Sequence, residues 1–455
     1  MSVTNETVTN ESEQVVDDIS NTEQTKTQEE INVDTMAALK ARMAAKKEGA
    51  SMPPKIIEKK KKSIQFGVVG SGQAGSRIAE TFYSLGYPTV VFNTASQDLE
   101  FIKIPDANKY LLEYTLGGAA KSLSIGSEAA QAHLDGINAL VSDKLDDTHV
   151  LLLCLSLGGG SGAGSCETMV DVLTATGKPV IVITVLPMTT DDSATKNNAL
   201  ITLSKLAKMA QNKKIANLIV VDNAKIESIY ADVSQMDFFE VSNHAIVDPI
   251  DAFNKYSAMP SKVKSLDPME LAKIFTDGEG LTIYGEMAVS NYEEPTAIAE
   301  AVIENLNGGL LAGGFDLKQT RYAGVLFVGN SKVMNSIPSS SVSYAMELIR
   351  ESCSSANSVF RGVYEDDSIT EDSLKVYSMF SGLGLPSSRV EQLKKESQEE
   401  ALKAKGRDQT RNLSLNLDTG VEEATSAADK VREAIRQKSS TFSKNFTGIK
   451  DFRKK

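Results

Sequence analysis

The sequence predicts an α/β protein: a parallel sheet with helices between its strands, then a long helix, then a smaller α+β unit. Three observations carry this. Apolar runs of strand length at residues 63–69, 88–92, 150–157, 178–186 and 217–221 alternate with stretches of helical spacing. Two of these runs, the first and the third, pass straight into glycine-rich turns that open a helix. Beyond a long helical stretch at 236–259 the order changes, with a helix over 295–307 and strands at 281–290, 324–328 and 373–380.

Composition bounds the functions available. At 455 residues, 41% hydrophobic and 24% charged, the chain has room for two or three domains with proper cores. Three cysteines (Cys154, Cys166, Cys353) form neither a disulfide framework nor a metal-ligand spacing, which fits a reducing cytoplasm. Three histidines far apart in sequence give little support to a histidine metal site or a catalytic triad. No apolar run reaches membrane-spanning length, and residues 1–30 are acidic and polar, unlike a signal peptide. The net charge of −12 argues against a surface that binds nucleic acid throughout.

Residues 1–62 read as a disordered N-terminal extension, starting with Ser, Thr, Asn and acids and ending in a lysine-rich run. A short amphipathic helix over 32–47 is compatible with the pattern, with Met36, Leu39 and Met43 on one face. The strand at 63–69 then runs into Gly70, Ser71, Gly72, Gln73, Ala74 and Gly75, and a helix follows over 76–85. Gly70, Gly72 and Gly75 match G-x-G-x-x-G, the turn of an NAD-binding Rossmann oxidoreductase. Two features count against that reading. The next strand ends in Asn93-Thr94 where an acid would hold a ribose hydroxyl, and a dinucleotide fold has no use for a second, richer glycine loop.

A small-residue turn, Gly117-Gly118-Ala119-Ala120 with Lys121 beside it, precedes a helix expected over 127–144. Then comes the most informative stretch. Gly158, Gly159, Gly160, Ser161, Gly162, Ala163 and Gly164 separate a strand buried on both faces from a helix. A packing turn would need one or two glycines, and this loop has five. So bare a loop leaves its N–H groups open at the positive end of a helix dipole, which makes a phosphate cradle.

GGGSGAG resembles the signature loop of the tubulin/FtsZ superfamily of GTPases, with Ser161 where Thr is usual. Further loops appear in family order. Gly72-Gln73-Ala74-Gly75 is similar to the first nucleotide loop, Phe92-Asn93-Thr94 to the second, and Gly117 to Lys121 to the third, which senses the γ-phosphate. Asp191 or Asp192 stands where a ribose-contacting acid is expected, with Lys196 as the basic residue after it. Asn223 at a strand end and Asn243 in the long helix stand where asparagines meet guanine, and an amide suits a purine edge. Pro249 inside that helix removes one intrahelical bond and predicts a kink.

Lys264 to Phe275 resembles the family's catalytic loop, with Asp267 and Glu270 at its two acidic positions and Ser265 in place of the Asn. The same residues also read as a capping box, with Asp267 as N-cap, Pro268 at N1 and Glu270 at N3. The resemblance covers about 63–385 and is nearest in type to the divergent bacterial, plasmid and phage tubulins of the TubZ and PhuZ kinds. It implies a GTP-binding domain at 63–235, a central helix at 236–263, and a catalytic loop with activation domain at 264–385. A C-terminal helix and basic tail fill 386–455, and basic residues with spaced phenylalanines at 430–455 suit an adaptor, a DNA-bound protein or nucleic acid.

The implied function is a GTPase that binds GTP/GDP with Mg²⁺, Gln73 lying near the ion's water shell. It would polymerise with itself head to tail into cytoskeletal filaments, with Asp267 and Glu270 acting on the neighbour's nucleotide. DNA or phage positioning in a bacterial cytoplasm is the expected setting. The alternatives are the NAD-binding oxidoreductase and a filament protein that binds GTP without turning it over.

Overall fold

A computed structural model describes residues 61–308 and 314–415. The N-terminal arm before residue 61, with its amphipathic stretch, and the basic tail lie outside the described residues.

The alternation expected from the apolar runs is present. β1 (Phe66–Ser71) passes into α1 (Gly72–Ser84) and back to β2 (Thr89–Asn93). A short α2 (Ser96–Glu100) and β3 (Lys109–Leu111) follow, then α3 (Leu123–Ala132) and α4 (Leu134–Leu145). β4 (Val150–Ser156), α5 (Ser161–Ala175), β5 (Val180–Leu186), α6 (Ser193–Gln211) and β6 (Asn217–Asp222) complete the first part. α7 (Asn223–Ile229) leads into the long α8 (Gln235–Tyr256) and then α9 (Pro268–Thr276). Then come β7 (Leu281–Val289), α10 (Ala297–Gly308), β8 (Tyr322–Gly329), α11 (Ser331–Ser336) and α12 (Ser339–Ser352). β9 (Ser358–Glu365), β10 (Leu374–Leu383) and α13 (Ser387–Leu415) close the described chain.

Ten described strands form one sheet in the order β3-β2-β1-β4-β5-β6-β7-β10-β8-β9. β1 to β7 run parallel to one another, whereas β10 lies antiparallel between β7 and β8. β1, β2, β4, β5 and β6 are buried along nearly their whole length, with helices packed against the sheet, which is why they read as unbroken apolar runs. Strand order reverses at β1, which pairs with β2 on one side and β4 on the other. Ligands of open α/β sheets bind at such a point, beyond the carboxyl ends of the strands. Both glycine loops emerge there.

Two local expectations are corrected. The helix expected over 127–144 is two helices, broken at His133, and it starts earlier, at Leu123, where the Ser122 hydroxyl accepts from the Ile125 N–H. The His133 ring meets the Tyr110 hydroxyl at 3.3 Å and the Glu113 carbonyl oxygen at 2.9 Å. Those contacts come from β3 and the segment just after it, so spacing within the helix carries no sign of them. β9 was not anticipated either: it is a half-buried edge strand pairing with β8 alone among the described strands.

α8 spans the body. At its first turns Phe239 lies under the Arg77 guanidinium of α1, 5.2 Å from the ring centre. At its far end Asn254 exchanges hydrogen bonds with Ile64, accepting at 2.7 Å and donating at 2.9 Å, just ahead of β1. The helix, about 1.5 Å per residue, thus reaches from the carboxyl edge of the parallel strands to the opposite edge. Pro249 lies within it. Among the described residues no helix is long and apolar enough to cross a membrane.

Candidate functional site

Four loops converge at the switch point. Gly72 adopts a φ of +72°, and a Cβ placed there would lie 2.7 Å from the Gly162 backbone nitrogen. A Cβ on Gly75 would lie 2.1 Å from the Cys154 carbonyl oxygen, so α1 can sit on β4 only through a glycine. A Cβ on Gly160 would press on Ala119, Lys121 and Ser122 at 2.8–3.0 Å. Hydroxyls tie the loops: Ser71 to Ser165 at 2.7 Å, and Thr94 to Ser161 at 2.5 Å. The Gly118 N–H donates to the Thr94 carbonyl oxygen at 2.9 Å. The sequence-predicted residues Gly70, Gly72, Ala74, Gly75, Asn93, Gly117 to Lys121 and Gly158 to Gly164 are therefore brought together.

The helix starts at this point have an electrostatic signature. α1 and α5 begin at Gly72 and Ser161, and neither N-cap residue offers a side-chain hydrogen bond. α6, α7, α8 and α9 carry one, while α2, α4 and α12 lack it as well. The N-cap side chains thus leave the first N–H groups of α1 and α5 uncapped, and an anion seated between the two loops would cap them. The third loop holds Ala120 and Lys121 at φ of 47° and 62°, a left-handed backbone costly for residues with a Cβ. Asn198 of α6 braces it, its amide donating to the carbonyl oxygens of Lys121 at 2.8 Å and Gly158 at 3.2 Å.

Polar side chains ring the cradle. Gln73 donates to Asp98 at 3.0 Å, and Asn93 donates to the other Asp98 oxygen at 2.9 Å. Lys121 pairs with Asp192 at 2.6 Å. Asp192 also caps α6 through the Thr195 N–H, and these partners, Lys121 first, lower its carboxyl to about 2. Asp191 accepts the Met188 N–H at 2.8 Å and fixes the turn after β5. Lys196, the basic residue after them, is buried and donates to the Thr189 carbonyl oxygen at 2.6 Å. Asn223 opens α7 and Asn243 sits in α8, both half-buried. Among the described residues no cluster of three or more His, Cys, Asp or Glu could hold a metal by itself.

Asp267 and Glu270 are not part of this cradle. They form the expected capping box on α9, the Glu270 N–H donating to Asp267 at 2.8 Å and the Asp267 N–H to Glu270 at 3.0 Å. Their loop is fastened to β9: Leu266 donates its N–H to the Tyr364 hydroxyl at 2.8 Å, and Ser261 donates to the Val363 carbonyl oxygen. Ser265, standing where the family has Asn, accepts the Ser261 N–H at 3.2 Å and so shapes the loop. The loop leaves α8 at the end that meets Ile64, away from the glycine loops. Within one chain the cradle and the acids stay apart.

Sequence reasoning missed Ser71, Ser165, Asp98 and Asn198. A hydroxyl flanked by two glycines was a usable signal for Ser71. Asn198 lies mid-helix, and nothing local distinguishes it.

Residues 65–231 match the GTPase domain of the Tubulin/FtsZ family. A tubulin-like protein CetZ of Pyrococcus horikoshii is 25% identical over 330 residues, covering 70% of this chain and 85% of the relative. Cell division protein FtsZ 1 of the same organism is 26% identical over 263 residues, covering 56% and 66%. A TubZ protofilament of Bacillus thuringiensis in the GTPγS form shares the fold with a TM-score of 0.67 at 20% identity, covering 78% and 96%. A GTPγS-bound CetZ protofilament of Haloferax volcanii gives 0.62 at 19%, covering 75% and 100%. The α/β fold expected from the glycine loops is thus the tubulin fold.

Proposed function

We propose that this chain, whose residues 65–231 are a tubulin/FtsZ-family GTPase domain, is a filament-forming enzyme that completes its active site from two copies of itself. GTP hydrolysis is the chemistry of that domain, and GTP or GDP is its ligand. The observation that carries the filament reading is the separation described above. The cradle lies at one end of α8 and the capped acids Asp267 and Glu270 follow the other, so the two can meet when one subunit stacks on the next. Such a contact is heterologous and leaves an open filament. Solved TubZ and CetZ neighbours are protofilaments, which supports the reading.

In this mechanism the uncapped N–H groups of α1 and α5 bind the phosphates, and Gly118 to Lys121 close over the terminal one. Asn223 and Asn243 take the base, and Asp191 lies on the ribose side. Mg²⁺, which would neutralise the phosphate charge, keeps several of its own waters and needs few protein groups. Gln73 and Asp98 at the cradle rim fit that demand. Asp267 and Glu270 of the adjoining subunit orient the attacking water.

The expected roles narrow from here. DNA or phage positioning as cargo work rests on the sequence resemblance alone. The similar curated proteins named above come from an archaeon, which points away from a bacterial or phage-infected cell. Contact of the basic tail with an adaptor, a DNA-bound protein or nucleic acid rests on the sequence. The deciding experiment is GTP-dependent pelleting with phosphate release in the same tube. Assembly with release supports the enzyme, and assembly without release supports a structural filament. A melting temperature raised by NAD and not by GTP would overturn both.

A further inference from the structure

α13 lies outside the matched GTPase domain, yet one of its side chains ends among the loops on the base side of the site. Arg389 is 6% exposed. Its Nε donates to Asp222 Oδ2 at 2.7 Å, its Nη2 to the Pro187 carbonyl oxygen at 3.4 Å, and its Nη1 to Glu396 Oε1 at 3.3 Å. The other Glu396 oxygen lies 3.5 Å from Nζ of buried Lys196, which holds the Thr189 carbonyl. Gln392 adds a donor to Glu396 at 2.9 Å. A buried guanidinium persists when its fork meets several acceptors in fixed directions, as here. One network therefore joins α13 to the ends of β5 and β6 and to the start of α6.

Asp222 is the pivot. While Oδ2 is held by Arg389, Oδ1 accepts the Ala224 N–H at 3.1 Å and caps α7. Asn223 stands between these two anchored residues, so its Cα is fixed from both sides. We propose that Arg389 is a positioning residue for guanine recognition, acting through Asp222 to hold Asn223 in place. This rests on Asn223 meeting the guanine base. Guanine differs from hypoxanthine by one exocyclic amino group, so discrimination needs an acceptor held where that amine arrives. An amide on a loosened helix start loses that aim. Linkage makes the effect mutual: bound guanine nucleotide tightens α13 on the body by as much as docked α13 tightens the nucleotide.

The test compares GTP with ITP, which lacks the amino group, on the full chain. Affinities for both are measured in the native protein, Asn223→Ala, Arg389→Gln, Arg389→Lys and the Asn223→Ala/Arg389→Gln pair. Arg389→Gln is expected to lower the GTP-over-ITP ratio by ~5-fold or more, the low end of ordinary coupling between sites. Arg389→Lys should recover part of it, and the double variant should discriminate no worse than Asn223→Ala. If both nucleotides weaken equally in Arg389→Gln and Arg389→Lys, the arginine is merely structural and the proposal falls. If Asn223→Ala itself leaves the ratio unchanged, the base contact is wrong and the proposal falls with it.

Discussion

Asp267 and Glu270 hold each other, each accepting the other's backbone N–H, at 2.8 Å and 3.0 Å. Capping and catalysis make different demands on the same two carboxylates, so they can be separated. Glu270→Ala removes half of the capping box and costs about 1 kcal/mol of stability. If Glu270 also orients water for the adjoining subunit, phosphate release per assembled subunit falls by ~10²-fold or more while GTP binding persists. Mixing this variant with subunits that cannot bind GTP, but keep Glu270, should restore turnover in co-assembled filaments. Unchanged release from the variant alone would leave capping as the whole account.

Gly72→Ala tests the cradle. The new Cβ would sit 2.7 Å from the Gly162 nitrogen, on a backbone with φ of +72°. The strain of a left-handed residue is about 1–2 kcal/mol, which a chain of this size can carry. The expected result is a folded protein, judged by circular dichroism, with GTP binding abolished in equilibrium titration. Full affinity in the folded variant would show that the phosphates lie elsewhere.

Lys121 and Asp192 pair at the cradle rim while both remain about half exposed. An exposed pair contributes under about 1 kcal/mol, so Lys121→Met should barely move the melting temperature. If the lysine turns to the terminal phosphate when nucleotide binds, the variant weakens GTP more than GDP. Equal weakening of the two would confine Lys121 to bracing its own loop.

Asp366 joins the end of α8 to the exit of β9. Burial would raise its carboxyl, but Lys255 at 2.5 Å, Ser368 and Tyr256 hold it well below the ordinary value. A lowered acid stabilises the fold at pH above its unfolded value of about 3.8, and that contribution is lost as pH falls through the folded value. Asp366→Asn should therefore melt lower than the native chain near neutral pH, with the gap closing in acid. A gap that stays constant down to acid pH would assign the effect to packing.

Much of this protein is legible without coordinates because the informative signals are local. Buried parallel strands read as apolar runs, and a loop bare of side chains between strand and helix allows few other uses. Asp267, Pro268 and Glu270 specify their helix start within four residues. The tertiary structure decided what depends on pairing between distant segments. Ser71 finds Ser165 across 94 positions, and Arg389 finds Asp222 across 167. His133, at the break between two helices, meets Tyr110 from 23 positions away. The strands of the second unit continue the sheet of the first because β7 pairs with β6 at Leu218 and Ile219. Periodicity along a chain reports which face of an element is buried and not what buries it. That is why the loops were readable one by one, while their meeting at one end of α8, and the placing of Asp267 and Glu270 beyond the other, needed the fold.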